Sequence, residues 1–174
     1  VIGLLRVTKA FLPLLGAQEN FTAAKGKIVN ISSISGKVAF PFVGAYVGTK
    51  HAVEGVSNSL RRELMLFGID VIIVGPGAIK TPIWGKGIVD MSSYNDTPYG
   101  KIVNHFAQFM QKSGEKGLTP EYLAERIFKI FEKKKPKTRY SIVPGNNFMN
   151  FTIPTWMPSR WLDRIIGKQT GLKK

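Results

Sequence analysis

The chain contains no cysteine in its 174 residues. That excludes a disulfide framework and any thiolate metal site. Histidine is almost missing too. His51 and His105 are too few and too far apart in sequence to suggest a metal centre, so none is expected. Acidic side chains are scarce, 11 against 25 basic ones, for a formal charge of +14. No apolar run approaches the roughly 18 residues a membrane-crossing helix needs. The most apolar stretch, Val1–Leu15, carries Arg6, Lys9 and Pro13 and has no small-residue cleavage site after it. It reads as a buried helix and not as a signal peptide. These absences together point to a cytoplasmic protein.

The positive charge is uneven. From Glu132 to the end there are ten basic residues and two acidic ones, a net +8. Such a bias attracts anions, whether a phosphate-bearing cofactor or an anionic surface. No zinc-finger, recognition-helix or RNA-binding pattern accompanies it, so nucleic acid is not an expected partner. An apolar fraction of 44%, with 18 glycines and 10 prolines, fits a globular domain with a real core.

Hydrophobic spacing gives the elements. Leu4, Leu5, Phe11, Leu12 and Leu15 recur at helical intervals over residues 2–15. The β-branched run Ile28-Val29-Asn30-Ile31 predicts a short strand. One long helix is predicted over 43–67, ending at Gly68. Residues 69–74 are nearly all apolar, the habit of a parallel strand covered on both faces. Strand, helix and strand in that order form a βαβ unit. Residues 80–98 read as irregular, and Tyr99, Ile102, Val103, Phe106 and Met110 return to helical spacing. Thr119-Pro120 is a helix start, with Leu123, Ile127, Ile130 and Phe131 as its buried stripe. Tyr140–Val143 is the last predicted strand. A short amphipathic turn follows around Trp161, Leu162, Ile165 and Ile166. The fold class is therefore α/β.

Chemistry concentrates at three residues. Tyr46 and Lys50 are one helical turn apart, so a phenol and an ammonium share a face. A nearby cation favours the phenolate and so makes tyrosine useful in proton transfer near neutral pH. Ser33 ends the preceding strand, where its hydroxyl can hold a carbonyl or alcohol oxygen. Gly75-Pro76-Gly77 breaks the chain at the C-terminal end of the next strand, the edge where open parallel sheets bind ligands. Phe40, Phe42, Trp84 and the helix near Tyr99–Met110 either line a substrate pocket or pack the core.

Asn30-Ile-Ser-Ser33, Tyr46-x-x-x-Lys50 and Pro76-Gly77-x-x-x-Thr81 stand in the order and spacing of the short-chain dehydrogenases/reductases. The chain resembles that family over residues 1 to about 145. Val7–Leu15 and the basic tail are similar to the branch holding hydroxysteroid, retinol and 3-hydroxybutyrate dehydrogenases. The resemblance implies a Rossmann-like, doubly wound parallel sheet, here incomplete. The family's N-terminal strands, its glycine-rich phosphate loop, its Asn-Ala-Gly segment and a catalytic asparagine have no counterpart. The expectation is the C-terminal part of a longer enzyme: residues 1–145 with a lid at about 80–115, then a basic, aromatic extension over 146–174.

The resemblance also implies roles. Tyr46 is the general acid/base, Lys50 favours its ionised form and binds the nicotinamide ribose, and Ser33 orients the substrate oxygen. Pro76, Gly77, Ile79 and Thr81 lie against the nicotinamide of NAD or NADP. The reaction is hydride transfer with a hydrophobic alcohol or ketone, in a homodimer or homotetramer. The competing reading is a non-catalytic module that acts in assembly or docks on an anionic membrane through its basic tail.

Overall fold

Three strands pair in parallel in the order β1-β2-β3: β1 Lys27–Ile31, β2 Asp70–Pro76 and β3 Arg139–Ile142. The register sets Lys27 against Asp70, Ile31 against Val74, and Ile73 against Arg139. This is a computed structural model, and it describes residues 1–86 and 94–172. Central strand β2 is buried from Val71 to Pro76, as its unbroken apolar run requires. Pro76, which has no N–H to donate, stands at the strand's last position.

Among the described residues there are seven α-helices: α1 Ile2–Leu15, α2 Gly44–Glu63, α3 Ile83–Lys86, α4 Gly100–Glu115, α5 Pro120–Phe131, α6 Ile153–Trp156 and α7 Ser159–Thr170. The long helix predicted over 43–67 is α2 followed by a tighter 3-10 turn, Leu64–Phe67, stopped at Gly68. Thr119 caps α5, accepting at Oγ1 from the Tyr122 amide at 3.2 Å. The expected turn near Trp161 is the full helix α7. Within the stretch read as irregular, α3 forms a single turn, and residues 87–93 of the expected lid lie outside the described residues.

Two compact units result. One holds 1–76 and 124–142, with the sheet, α1 and α2. The other holds 77–123 and 143–174, with α3, α4, α6 and α7. In the first, Leu64, Ile69 and Val71 form a buried cluster with Leu12, Leu15, Leu60 and Phe67 against it.

Two sequence expectations fail here. Helix α1 is not buried. Ile2, Val7, Phe11 and Leu14 are exposed, and Thr8 is its buried residue. Its apolar residues wrap most of the helix, but only the side carrying Leu12 and Leu15 meets the core. In α5, Phe131 is exposed while Ile130 is buried, so the stripe ends one position early. Among the described residues, no helix is long and apolar enough to cross a membrane.

Ile72, almost wholly enclosed in β2, is the sharpest test of this core. Ile72→Ala is expected to cost about 2–5 kcal/mol in urea unfolding. Leu66→Ala, at a largely exposed position, should stay within about 0.5 kcal/mol.

Candidate active site

Helix α2 owes its position to one stripe. Tyr46, Lys50, Glu54 and Ser57 recur three or four residues apart and so share a face. Ser57 accepts from Asn30 Nδ2 of β1 at 2.9 Å, and both residues are buried. That bond ties the helix to the strand, and it gives the Asn-x-Ser triplet at Asn30 a packing role. Two turns nearer the N-terminus, Lys50 Nζ donates to the Ile31 carbonyl at 3.2 Å, at the last residue of β1. The same ammonium stands 5.7 Å from the centre of the Tyr46 ring, within cation–π range. Tyr46 is 47% exposed. The pair expected from the i, i+4 spacing is therefore formed, and it sits at the C-terminal end of a parallel strand.

Ser33 follows that strand end by two residues. The Ser32 amide donates to the Val74 carbonyl at 2.7 Å, which carries the ladder one step past β1. Ser33 keeps an extended backbone and begins a 3-10 turn, Ile34–Gly36. Its Oγ accepts from the Ser35 amide at 3.1 Å, which fixes the rotamer without using the hydroxyl's own donor. The turn lies close against α2. A side chain at Gly36 would put its Cβ 2.6 Å from Ser32 Oγ and 2.8 Å from Glu54 Cγ, so glycine is required there.

The sequence reading missed a buried ion pair behind this turn. Arg139 opens β3 opposite Ile73, and its guanidinium runs along the sheet face that α2 covers. Nε donates to both carboxylate oxygens of Glu54, at 2.9 and 3.1 Å. Nη1 donates to Ser141 Oγ at 2.5 Å, and Nη2 to the Ser33 carbonyl at 3.3 Å. Lys37 adds a weaker contact to Glu54 at 3.7 Å. One side chain thus joins β3, α2 and the end of β1.

The pair also explains Gly75. A Cβ at that position would lie 2.5 Å from Arg139 Nη2 and 3.1 Å from the Ser33 carbonyl, so any larger residue blocks the guanidinium's path. The available signal was a lone glutamate on the sheet-facing stripe of α2. A buried carboxylate calls for a cation, and Arg139 directly precedes the strand predicted over Tyr140–Val143.

The Pro76–Thr81 segment divides between the two units, with Pro76 in the first and Gly77, Ile79 and Thr81 in the second. In the second unit the segment is held by its backbone. Leu118 N donates to the Ala78 carbonyl at 2.9 Å, and Lys80 N to the Leu118 carbonyl at 2.8 Å. Trp84 Nε1 donates to the Ile79 carbonyl at 2.6 Å. The indole lies against Gly114 of α4 so closely that a Cβ there would be 2.3 Å from Trp84 Cγ. Trp84 therefore packs its own unit. Thr81 is exposed. Phe42, just before α2, has a left-handed φ of 62°, which is strained for a bulky residue.

Comparison with known proteins gives the family. Residues 1–91 match the family described as short chain dehydrogenase. The chain belongs to the short-chain dehydrogenase family. It is 39% identical to the NADPH-dependent 3-dehydrocapnine reductase of Ornithobacterium rhinotracheale, over 97% of this chain and 58% of that protein. It is 30% identical to the 3-ketodihydrosphingosine reductase of Bacteroides thetaiotaomicron, over 92% of this chain and 58% of that protein. The crystal structure of a short-chain dehydrogenase from Streptomyces avermitilis superposes with a TM-score of 0.63 at 28% identity, over 98% of this chain and 57% of that one. The chain thus spans under three-fifths of the length of each of these relatives.

Removing Arg139 leaves the enclosed Glu54 carboxylate with only the longer, more exposed Lys37 contact. Arg139→Ala is expected to cost about 3–5 kcal/mol in chemical denaturation. Gly75→Ala should lose about 1–3 kcal/mol through overpacking, and far less when combined with Arg139→Ala. An additive double mutant would show that the two residues do not meet.

Proposed function

We propose that this chain carries the proton-transfer centre of an NAD(P)-dependent oxidoreductase acting on an alcohol/ketone pair. The observation that carries the proposal is the placement of Lys50. Its ammonium is bound to the last carbonyl of β1 and lies one turn from a half-exposed tyrosine, at the sheet edge where open α/β folds bind ligands. The donor set suits a nicotinamide nucleotide: an ammonium for ribose hydroxyls and a phenol for the substrate oxygen.

A nicotinamide bound there would supply hydride to a carbonyl carbon, or accept it from an alcohol carbon. Ser33 donates a hydrogen bond to the carbonyl oxygen and orients it. Tyr46 gives its phenolic proton to that oxygen as negative charge develops there, and the product is the alcohol. Lys50 offsets the charge left on the phenolate. In the oxidative direction the phenolate takes the hydroxyl proton. Pro76, Gly77, Ile79 and Thr81 are assigned to the nicotinamide face, and residues 80–115 to covering the substrate. Arg139 acts through Ser33 and is a positioning residue.

The two curated relatives are named for 3-dehydrocapnine and 3-ketodihydrosphingosine reduction, and the first for NADPH dependence. This supports a hydrophobic ketone as substrate and NADPH as the first cofactor to assay. The exposed apolar side of α1, with Ile2, Val7, Phe11 and Leu14, supports a homodimer or homotetramer built on that helix.

The test is turnover by the full-length protein, followed as NADPH consumption with 3-ketodihydrosphingosine as the probe ketone. Tyr46→Phe is expected to lower kcat on the order of a hundredfold or more while KM moves little. Ser33→Ala should lower kcat with the fold intact by circular dichroism. Unchanged turnover in Tyr46→Phe would remove tyrosine from the mechanism.

A further inference from the structure

Helix α7 carries three stripes with three different characters. Leu162, Ile166 and Thr170 form the inner one. They are partly or fully buried, and the helix packs through them on α4, where His105 Nε2 meets the Gln169 carbonyl at 3.2 Å. Arg160, Arg164 and Lys168 are four residues apart and form a second, exposed stripe. Trp161 and Ile165 lie one position further on, about 100° around the helix, and form a third. Both are exposed, Trp161 at 63%.

A water-facing helix that is already anchored on its inner side needs no second apolar stripe. The excess continues beyond the helix. Trp156 at the end of α6 is 83% exposed, the largest indole surface in the described chain. Between the two tryptophans lies an open hollow of about 370 Å³, lined by Thr152, Ile153, Trp156, Met157, Pro158 and Trp161. Its walls are almost wholly apolar.

We infer that α6 and α7 form a docking surface for a bilayer containing anionic lipid, with Trp156, Trp161 and Ile165 entering the interface and Arg160, Arg164 and Lys168 contacting headgroups. Two observations select this occupant. Indoles beside basic residues match the headgroup boundary, where the ring is half in hydrocarbon and the long cationic side chains reach back to phosphates. The basic stripe supplies the charge complement for an anionic leaflet. A nucleic acid or an acidic protein would use the basic stripe and leave two indoles and an apolar hollow in water. The surface needs none of Ser33, Tyr46 or Lys50, so its failure leaves the reductase reading untouched.

The test is flotation of the full-length protein with vesicles of phosphatidylcholine, with and without phosphatidylglycerol. Binding is expected with the anionic vesicles, and it should fall steeply with added salt. Arg160→Gln/Arg164→Gln/Lys168→Gln should weaken it at least tenfold, and Trp156→Ser/Trp161→Ser by a similar factor. Lys134→Gln/Lys135→Gln, which removes charge at exposed positions after α5, should change it little. Brominated lipid should quench tryptophan emission in the parent protein and much less in the Trp156→Ser/Trp161→Ser variant.

No flotation at low salt overturns the inference, even if the variants fold poorly. So does a charge-dependent binding that ignores the tryptophans. That outcome, with retention on heparin or duplex DNA, would identify a polyanion as the partner instead.

Discussion

A carboxylate enclosed under a helix must meet a cation or leave an uncompensated charge worth several kcal/mol. In this protein that carboxylate belongs to Glu54, whose side chain is 3% exposed. It is met by Arg139, which comes from a strand 85 residues away in sequence. Once Arg139 lies under α2, its two remaining nitrogens reach Ser141 and the Ser33 carbonyl. The neutralisation of one charge therefore sets where β3, α2 and the end of β1 stand relative to each other. Gly75 follows from the same constraint, because the guanidinium crosses the backbone at the only kind of residue that leaves room.

The proposed chemistry uses a helix already fixed for other reasons. Glu54 and Ser57 hold α2 against the sheet, and the same stripe continues to Lys50 and Tyr46 at the strand's C-terminal end. Lys50 serves two purposes there, as a donor to the Ile31 carbonyl and as the charge beside the phenol. A rigid helix with its anchor and its reactive groups on one face holds a proton donor better than a loop does, because each rotamer is limited by packing. The family match over residues 1–91 covers β1, α2 and β2 but not β3, which carries Arg139 and Ser141.

Much of this was legible in the residues. Tyr46 and Lys50 could be paired because the contact lies within one helix, where spacing alone sets neighbours. The central strand was legible because burial on both faces leaves no polar residue between Val71 and Val74. Thr119-Pro120 marked the start of α5 by local capping chemistry. The errors have a common cause. The sequence shows how much apolar surface a helix carries but not how much of it finds a partner, so α1 was expected to be buried and Phe131 to face inward. The amphipathic stretch at Trp161 was seen, but its division into an inner and an outer apolar stripe depends on where α4 lies.

Local rules therefore decided which elements form, where they cap and stop, and that a phenol and an ammonium share a helical face. Those are interactions among residues within about four positions of each other. The tertiary structure alone decided that Glu54 is enclosed, that Arg139 is its partner, and that Gly75 must be bare for the two to meet. Each of these depends on the register of parallel strands joined by long crossovers. Burial and charge neutralisation across that distance are properties of the assembled sheet, which no window of sequence contains.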